Sequence, residues 1–276
     1  MVETPDLASY DFICISSSAG KDSQVTTDKV YHLCKELGIE DRIIMVHADL
    51  GRMDWPGTVD LFKEHCAHYG FRYEIVSRKG TVNQKGEVLG DILEHVEKRQ
   101  MWPSSCARFC TSDHKRDQIR KIYVRLQKEN GGGPCRILNC MGLRAEESPS
   151  RAKRKPFTHN KRASSSTRHV DDWLPVHDWT EKQVWDRIHS IETNHHWAYD
   201  VGMPRLSCCF CIFAPKDALL IAGVHNEELL DQHVEVEQKI QHRFRKELSI
   251  EEVRDLIRSG AADHIDKGCL HGCWNM

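Results

Sequence analysis

Short apolar runs alternate with longer stretches of helical period along the first half of the chain. Phe12-Ile13-Cys14-Ile15 is an apolar run that stops at a Ser/Gly cluster, the pattern of a buried parallel strand feeding a tight loop. Residues 22–37 read as a helix closed by Gly38, and residues 42–46 (RIIMV) as the second strand of a βαβ unit. Pro56 opens another helix running to Tyr69, with Gly70 beyond its end, and residues 73–76 form a third strand. Helices are expected over 91–100 and 113–130; the run 131–134 (GGGP) breaks the second before a strand over 136–141. Thr180-Glu181-Lys182-Gln183 and Ser249-Ile250-Glu251-Glu252 match the capping box and start two helices in a mostly helical C-terminal third. This alternation predicts an α/β fold with a doubly wound parallel sheet over residues 1–195, followed by a cysteine-bearing loop and helical C-terminal extension over 196–276.

A chain of 276 residues can bury the core of one large α/β domain with an appendage. Its formal net charge of -2 gives no global basic field, so nucleic-acid affinity would have to come from a local patch. Residues 151–168 hold seven Lys/Arg, and no acid falls between Glu147 and Asp171. That stretch reads equally as a solvated loop, a lid over a triphosphate, or a track for a nucleic-acid backbone. No segment approaches the apolar length of a membrane span, and the N-terminal MVETPDLASYDF lacks the pattern of a secretory signal, so a cytoplasmic location is expected. Twelve cysteines in that setting stay reduced and point to metal binding or thiol chemistry rather than to disulfides. Cys14, Cys34 and Cys66 lie within apolar or helical patterns and read as small buried hydrophobes.

Two constellations carry candidate chemistry. Ser16-Ser17-Ser18-Ala19-Gly20-Lys21-Asp22-Ser23 lies between the first strand and the first helix, where backbone N–H groups and the positive helix end collect phosphate oxygens. Lys21 can neutralise charge on a leaving pyrophosphate, and the Ser16, Ser18 and Ser23 hydroxyls can donate to phosphate oxygens. The glycine spacing is not that of a Walker A loop. Cys106 and Cys110 form a C-x3-C pair, and Cys208, Cys209 and Cys211 form a dense second set. Four thiolates from two such sets suit an iron–sulfur cluster or a structural zinc. Val176, Trp179, Val184 and Trp185 are spaced to bury a helix entry, so the segment from Trp173 to Trp185 reads as structural, with no catalytic role for His177 or Asp178.

The loop resembles the SxGKDS loop of the PP-loop ATP pyrophosphatases. Further segments extend the likeness: His47-Ala48-Asp49-Leu50-Gly51 with Trp55-Pro56-Gly57-Thr58; Cys110-Thr111 with Lys115; Gly142-Leu143-Arg144-Ala145-Glu146-Glu147-Ser148 with Arg151; and Trp173-Leu174-Pro175-Val176-His177-Asp178-Trp179-Thr180. Together, over roughly residues 10–215, they are similar to the phosphoadenosine phosphosulfate (PAPS) reductase family of the adenine nucleotide alpha-hydrolase superfamily. The resemblance implies ATP with Mg2+, catalytic roles for Lys21, Asp22, Arg144 and Arg151, and nucleotide contacts from Ser16, Ser18, Gly20, Ser23, His47 and Asp49. It places Asp49 beside the adenosine and aims the two arginines at phosphate or sulfate oxygens. It favours a 4Fe-4S cluster over zinc, because many relatives carry a C-x2-C set where Cys208 and Cys211 keep that spacing. Cys110 completes the first choice of ligands, with Cys106 next and Cys209 last. The reductase branch instead shows an adjacent Cys-Cys pair where Cys106 and Cys110 stand.

Reductases of the family lack the Lys-Asp pair retained here as Lys21-Asp22, and that retention implies ATP turnover. The implied activity is cleavage of ATP to AMP and pyrophosphate, adenylating an acceptor for cluster- or thiol-dependent sulfur transfer. Nucleic acid is the expected acceptor and a cysteine desulfurase the kind of sulfur donor expected; the DNA phosphorothioation enzymes are nearest in kind, with tRNA thiolation as a related case. The alternatives are a PAPS or adenylylsulfate reductase releasing sulfite, and a nucleotide-binding scaffold without turnover. The segment Gly268-Cys269-Leu270-His271-Gly272-Cys273 faintly resembles the C-terminal thiol motif of the reductases, and reads equally as a sulfur-carrying tail or an unstructured terminus.

Overall fold

In the computed structural model, which describes residues 2–265, the elements follow the expected alternation with shifted ends. The first βαβ unit is β1 (Phe12–Ser16), α1 (Lys21–Leu37) and β2 (Ile43–Ala48), and α2 (Thr58–Tyr69) and β3 (Arg72–Val76) follow. Next come α3 (Ile92–Arg99), a single turn α4 (Phe109–Thr111), α5 (Asp117–Glu129) and β4 (Cys135–Met141). A short α6 (Pro149–Ala152) precedes β5 (Phe157–His159), β6 (Arg168–Trp173) and α7 (Glu181–Ile188). The chain then runs through α8 (Lys216–His225), α9 (Glu227–Ile240) and α10 (Ile250–Arg258). Cys269 and Cys273 lie outside the described residues.

The six strands are ordered β3-β2-β1-β4-β6-β5. Every neighbouring pair is parallel except β5–β6, so the expected all-parallel sheet gains an antiparallel outer strand. Successive strand residues enter different cores: Ile13 and Ile15, with Met45 and Leu138, pack with Val30, Cys34, Phe62 and Cys66 of α1 and α2. Cys14, with Ile44, Val46 and Ile137, packs with Ile122, Tyr123 and Leu126 of α5. A sheet covered on both faces is what the continuous apolar runs require, and it is the doubly wound arrangement. Cys14, Cys34 and Cys66 are fully buried in it.

Two compact units divide the chain. The first, residues 1–48, 57–76 and 117–196, holds the whole sheet. The second is assembled from residues 49–56, 77–116 and 197–265, so its α-helices are drawn from two stretches rather than from the C-terminal run alone. Its own core gathers Trp55, Leu93, Trp102, Phe109, Phe210, Leu219 and Val253. Both expected capping boxes form, Thr180 accepting from the Gln183 amide and Ser249 from the Glu252 amide. The helix expected over 113–130 does not start as an α-helix: Ser112–Arg116 is a π turn, a wide turn frequent at functional sites. Among the described residues no helix is long and apolar enough to cross a membrane.

Candidate active site

In the first unit, the serine loop leaves the carboxyl end of β1, one of the two middle strands of the sheet, and turns directly into α1. The Ser17 amide still donates to Val46 O across the sheet at 2.9 Å, and the loop then departs. Ala19 adopts φ 55°, a left-handed conformation that costs a non-glycine residue about 1–3 kcal/mol. Internal hydrogen bonds hold that turn: Ser17 Oγ accepts from the Ala19 amide at 3.1 Å and donates to Ser23 Oγ at 3.2 Å, while Ser23 Oγ donates to Gly20 O at 2.8 Å. His47, buried at the end of β2, lies with Nδ1 2.9 Å from Ser17 O and braces the loop backbone.

Ser16 turns its hydroxyl to Asn139 of β4 at 2.9 Å, and Asn139 donates in turn to Asp172 of β6 at 2.7 Å. Ser18 is the exposed hydroxyl of the loop. Ser17, which sequence reasoning passed over, is therefore the serine that organises the turn, while Ser16 ties the strand ends together. Asp49 follows β2 directly and accepts from the Gly51 amide at 2.7 Å, in the manner of an aspartate that caps a turn.

Lys21 opens α1, with a side chain 2 % exposed and Nζ 3.4 Å from Glu181 Oε1. Asp22 accepts from Arg144 Nε at 2.5 Å, and Arg144 NH1 also reaches Glu146 Oε2 at 2.6 Å and Trp179 O at 3.3 Å. Arg151 pairs with Glu147, which also accepts from the Arg144 amide at 3.0 Å. Burial by itself would lower the pKa of Arg144; the charges and hydrogen bonds of Asp22, Glu147 and Glu146 outweigh it, and the guanidinium is held charged above its usual range. The arginines expected at anion oxygens are thus buried cations, each engaged by carboxylates. His177, given no catalytic role, lies with Nε2 3.0 Å from Arg151 O, and Val176, Val184 and Ile188 pack with Val25 as the aromatic segment was expected to do.

Gly142 makes the network possible. A Cβ there would lie 2.5 Å from Asp22 O and 2.7 Å from Ser23 N, inside the first turn of α1. Gly142→Ala is expected to destabilise the protein by about 1–3 kcal/mol, the range for forcing a methyl into a packed site. It should also weaken nucleotide binding, because the loop must shift. Unchanged urea unfolding and unchanged ATP affinity would contradict this.

The thiols gather in the second unit. The Cys208 and Cys211 thiols interact directly, and Cys110 of α4 is close enough to interact electrostatically with both. The Cys208 thiol pulls the Cys211 thiol down, helped by the Phe213 amide, Arg205 and Lys115, while burial opposes it. Cys208 is pushed up by the same interaction and by burial. Lys115, on the π turn, acts on all three sulfurs. Cys209 is fully buried in the apolar core of this unit. Cys106 is exposed beside the Ser105 hydroxyl at 3.9 Å.

Within the basic segment, Arg168 is tied to Ala163 O and Gln127 Oε1 at 2.9 Å each, and Arg151 is buried. Lys153, Arg154, Lys155, Lys161 and Arg162 are exposed on the excursion that carries β5. The segment is thus ordered in part as an edge strand, which its composition did not announce.

Residues 13–214 match the phosphoadenosine phosphosulfate reductase domain. An adenosine 5'-phosphosulfate reductase of Staphylococcus haemolyticus is 25% identical over 75% of this chain and 74% of that protein. An uncharacterized 37.8 kDa protein of Escherichia phage 186 is 32% identical over 43% of this chain, a match that spans only 35% of the phage protein. The phosphate complex of the PAPS reductase from Candida auris aligns over 74% of this chain and 84% of that one, with 16% identity and a TM-score of 0.45. With its family domain matched from β1 through the cysteine-bearing loop, the chain belongs to the phosphoadenosine phosphosulfate reductase domain family.

Proposed function

We propose that the protein cleaves ATP between its α and β phosphates, adenylating an acceptor oxygen that a sulfur nucleophile then replaces. The acceptor oxygen attacks the α-phosphorus, the bond to the β-phosphate breaks, and pyrophosphate leaves. The carrying observation is Lys21: a buried ammonium at the first position of a 17-residue helix, directly after the carboxyl end of a central parallel strand. That is where open α/β sheets bind ligands and where helix amides and dipole favour phosphate. Gly20 at the helix entry carries no side chain to compete for those amides. Arg144 and Arg151, already aligned by Asp22 and Glu147, supply further cations for the α-phosphate charge. Mg2+ would accompany the β and γ phosphates.

Cys110, Cys208 and Cys211 fit a 4Fe-4S cluster as donors: three sulfurs drawn together beside Lys115 and Arg205, whose charges offset thiolates. They would hold the cluster, which when bound supplies a site for sulfur, and Cys106 remains the candidate fourth ligand. Five exposed cations within residues 153–162 support a nucleic-acid acceptor reached through phosphate contacts. A sulfur-donor protein such as a cysteine desulfurase would complete the cycle in the cytoplasm.

Labelled ATP tests the reading. Protein with Mg2+ is expected to release AMP and pyrophosphate, and Lys21→Ala to lower the rate by roughly a hundredfold or more, the scale of one preorganised donor. ADP and phosphate as products would end it. The reductase relative that covers three quarters of the chain favours a second reading, sulfite release from a sulfonucleotide without ATP; the same protein incubated with labelled sulfonucleotide and a thiol reductant decides between them.

A further inference from the structure

The first unit carries a second constellation, at the amino-terminal end of the strands. His169 and Asp171 are two residues apart on β6 and so share a face of the sheet, and His159 of β5 is the direct cross-strand partner of Asp171. His159 Nδ1 lies 3.0 Å from Asp171 Oδ1, and His169 Nε2 lies 3.0 Å from both carboxylate oxygens. The imidazoles stack with centroids 4.4 Å apart. All three potential ligand atoms fall within 4.8 Å of one another. Asp171 is 3 % exposed, and the Tyr10 hydroxyl donates to its Oδ2 at 2.7 Å. Arg136 lies over the Tyr10 ring at 4.9 Å and fixes it.

We propose that His159, His169 and Asp171 form a binding site for a divalent first-row transition ion, with Zn2+ the best match, that clasps the antiparallel edge strand β5 to β6. Two imidazoles and one carboxylate are ligands this class of ion prefers. A tetrahedral ion with bonds of about 2.0–2.1 Å sets its ligand atoms about 3.3 Å apart, so the 3.0 Å nitrogen–oxygen spacings need to open by only a few tenths of an ångström, and the two imidazole nitrogens lie within 4.8 Å of each other. Each imidazole binds as the neutral ring, its proton residing on the other nitrogen. Tyr10 holds the carboxylate from behind, the arrangement that orients a metal ligand. The histidines are 38% and 49% exposed, which leaves the ion an entry path and room for water. Asp171 is level with Leu138 and Ile13, three residues before the end of β1, so the site is on the order of 10 Å along the strand direction from the start of the serine loop.

Because the thiols also bind zinc, the readout must belong to the imidazoles. Untagged, chelator-treated full-length protein with 15N-labelled histidine is titrated with Zn2+, the two resonance sets being assigned from His159→Gln and His169→Gln. The His159 and His169 signals should shift to saturation with one further equivalent, with coordination at Nδ1 of the first and Nε2 of the second. Tyr10→Phe should weaken binding by roughly tenfold, and Asp171→Asn more. If Asp171→Asn does not fold, loss of the His169 shift in the exposed His159→Gln variant serves the same purpose. Signals that stay put at millimolar Zn2+, or that shift with the same affinity in every variant, would overturn the site.

Discussion

Arg144→Ala is expected to lower the free energy of unfolding by about 3–5 kcal/mol, the cost of breaking a buried ion pair from one side. The guanidinium is 2 % exposed and bridges Asp22, Glu146 and the Trp179 carbonyl. Without it, the largely buried Asp22 carboxyl loses its guanidinium partner, and the first turn of α1 carries that penalty. Arg144→Lys should recover little, since an ammonium cannot span three acceptors in fixed directions as a planar fork does. The double variant Asp22→Leu/Arg144→Met separates structure from chemistry. Replacing both partners by apolar groups is often close to neutral, so stability should return while ATP turnover stays lost. Urea unfolding followed by circular dichroism gives the first quantity and pyrophosphate release the second. A loss below about 1 kcal/mol in Arg144→Ala would mean that the pair behaves as a solvated surface bridge.

This pair shows where sequence reasoning reached and where it stopped. The β1–loop–α1 unit was legible because its signals are local: an apolar run, small residues, then a helical period with Gly38 as its left-handed cap. The Thr180 and Ser249 caps were legible for the same reason. The roles within the loop were not. Asp22 and Arg144 meet across 122 positions, and the reason Gly142 must be glycine lies in the backbone of α1 rather than beside it in sequence. Residues 157–159 do not alternate enough to announce a strand; β5 exists because β6 offers it a partner. The π turn at Ser112–Arg116 carries ordinary helix-forming residues, and only its juxtaposition with Cys110 and the later cysteines gives Lys115 its place near three sulfurs. Cys209 lies within the apolar core of the second unit, while Cys208 and Cys211 are partly buried against it, a difference that depends on tertiary packing.

Lowering the pH from neutral to about 5 should destabilise the second unit by several kcal/mol, through three histidines that the fold keeps neutral. Burial lowers His114 to about 3, with Arg78 and His95 adding to it. Burial likewise lowers His95 to about 4, reinforced by Arg78. The two rings share one hydrogen bond, Nδ1 of His95 to Nε2 of His114 at 3.0 Å, in which one nitrogen must accept, so a second proton breaks it. Burial also lowers His233 to about 4; its Nδ1 donates to Leu229 O at 2.7 Å, and its Nε2 is buried without a hydrogen-bond partner, so protonation there would create an unsatisfied charge. Because these folded-state values lie below the unfolded value of about 6.5, the unfolded chain binds more protons between pH 6.5 and the folded values. The stabilisation is complete above pH 6.5 and is lost as the pH falls toward 4. At about 1.4 kcal/mol per pH unit, a histidine so depressed contributes a loss of about 2 kcal/mol by pH 5, with His95 and His114 acting as one coupled pair. The ring of Trp102 stacks on His233 with centroids 5.7 Å apart and planes 5° from parallel, so tryptophan fluorescence should report the transition in urea. Histidine NMR supplies the direct check: the three should remain neutral at pH 5 in the folded protein. A urea midpoint equal at pH 7.5 and pH 5, or any of the three titrating near 6.5 in the native state, would refute the account.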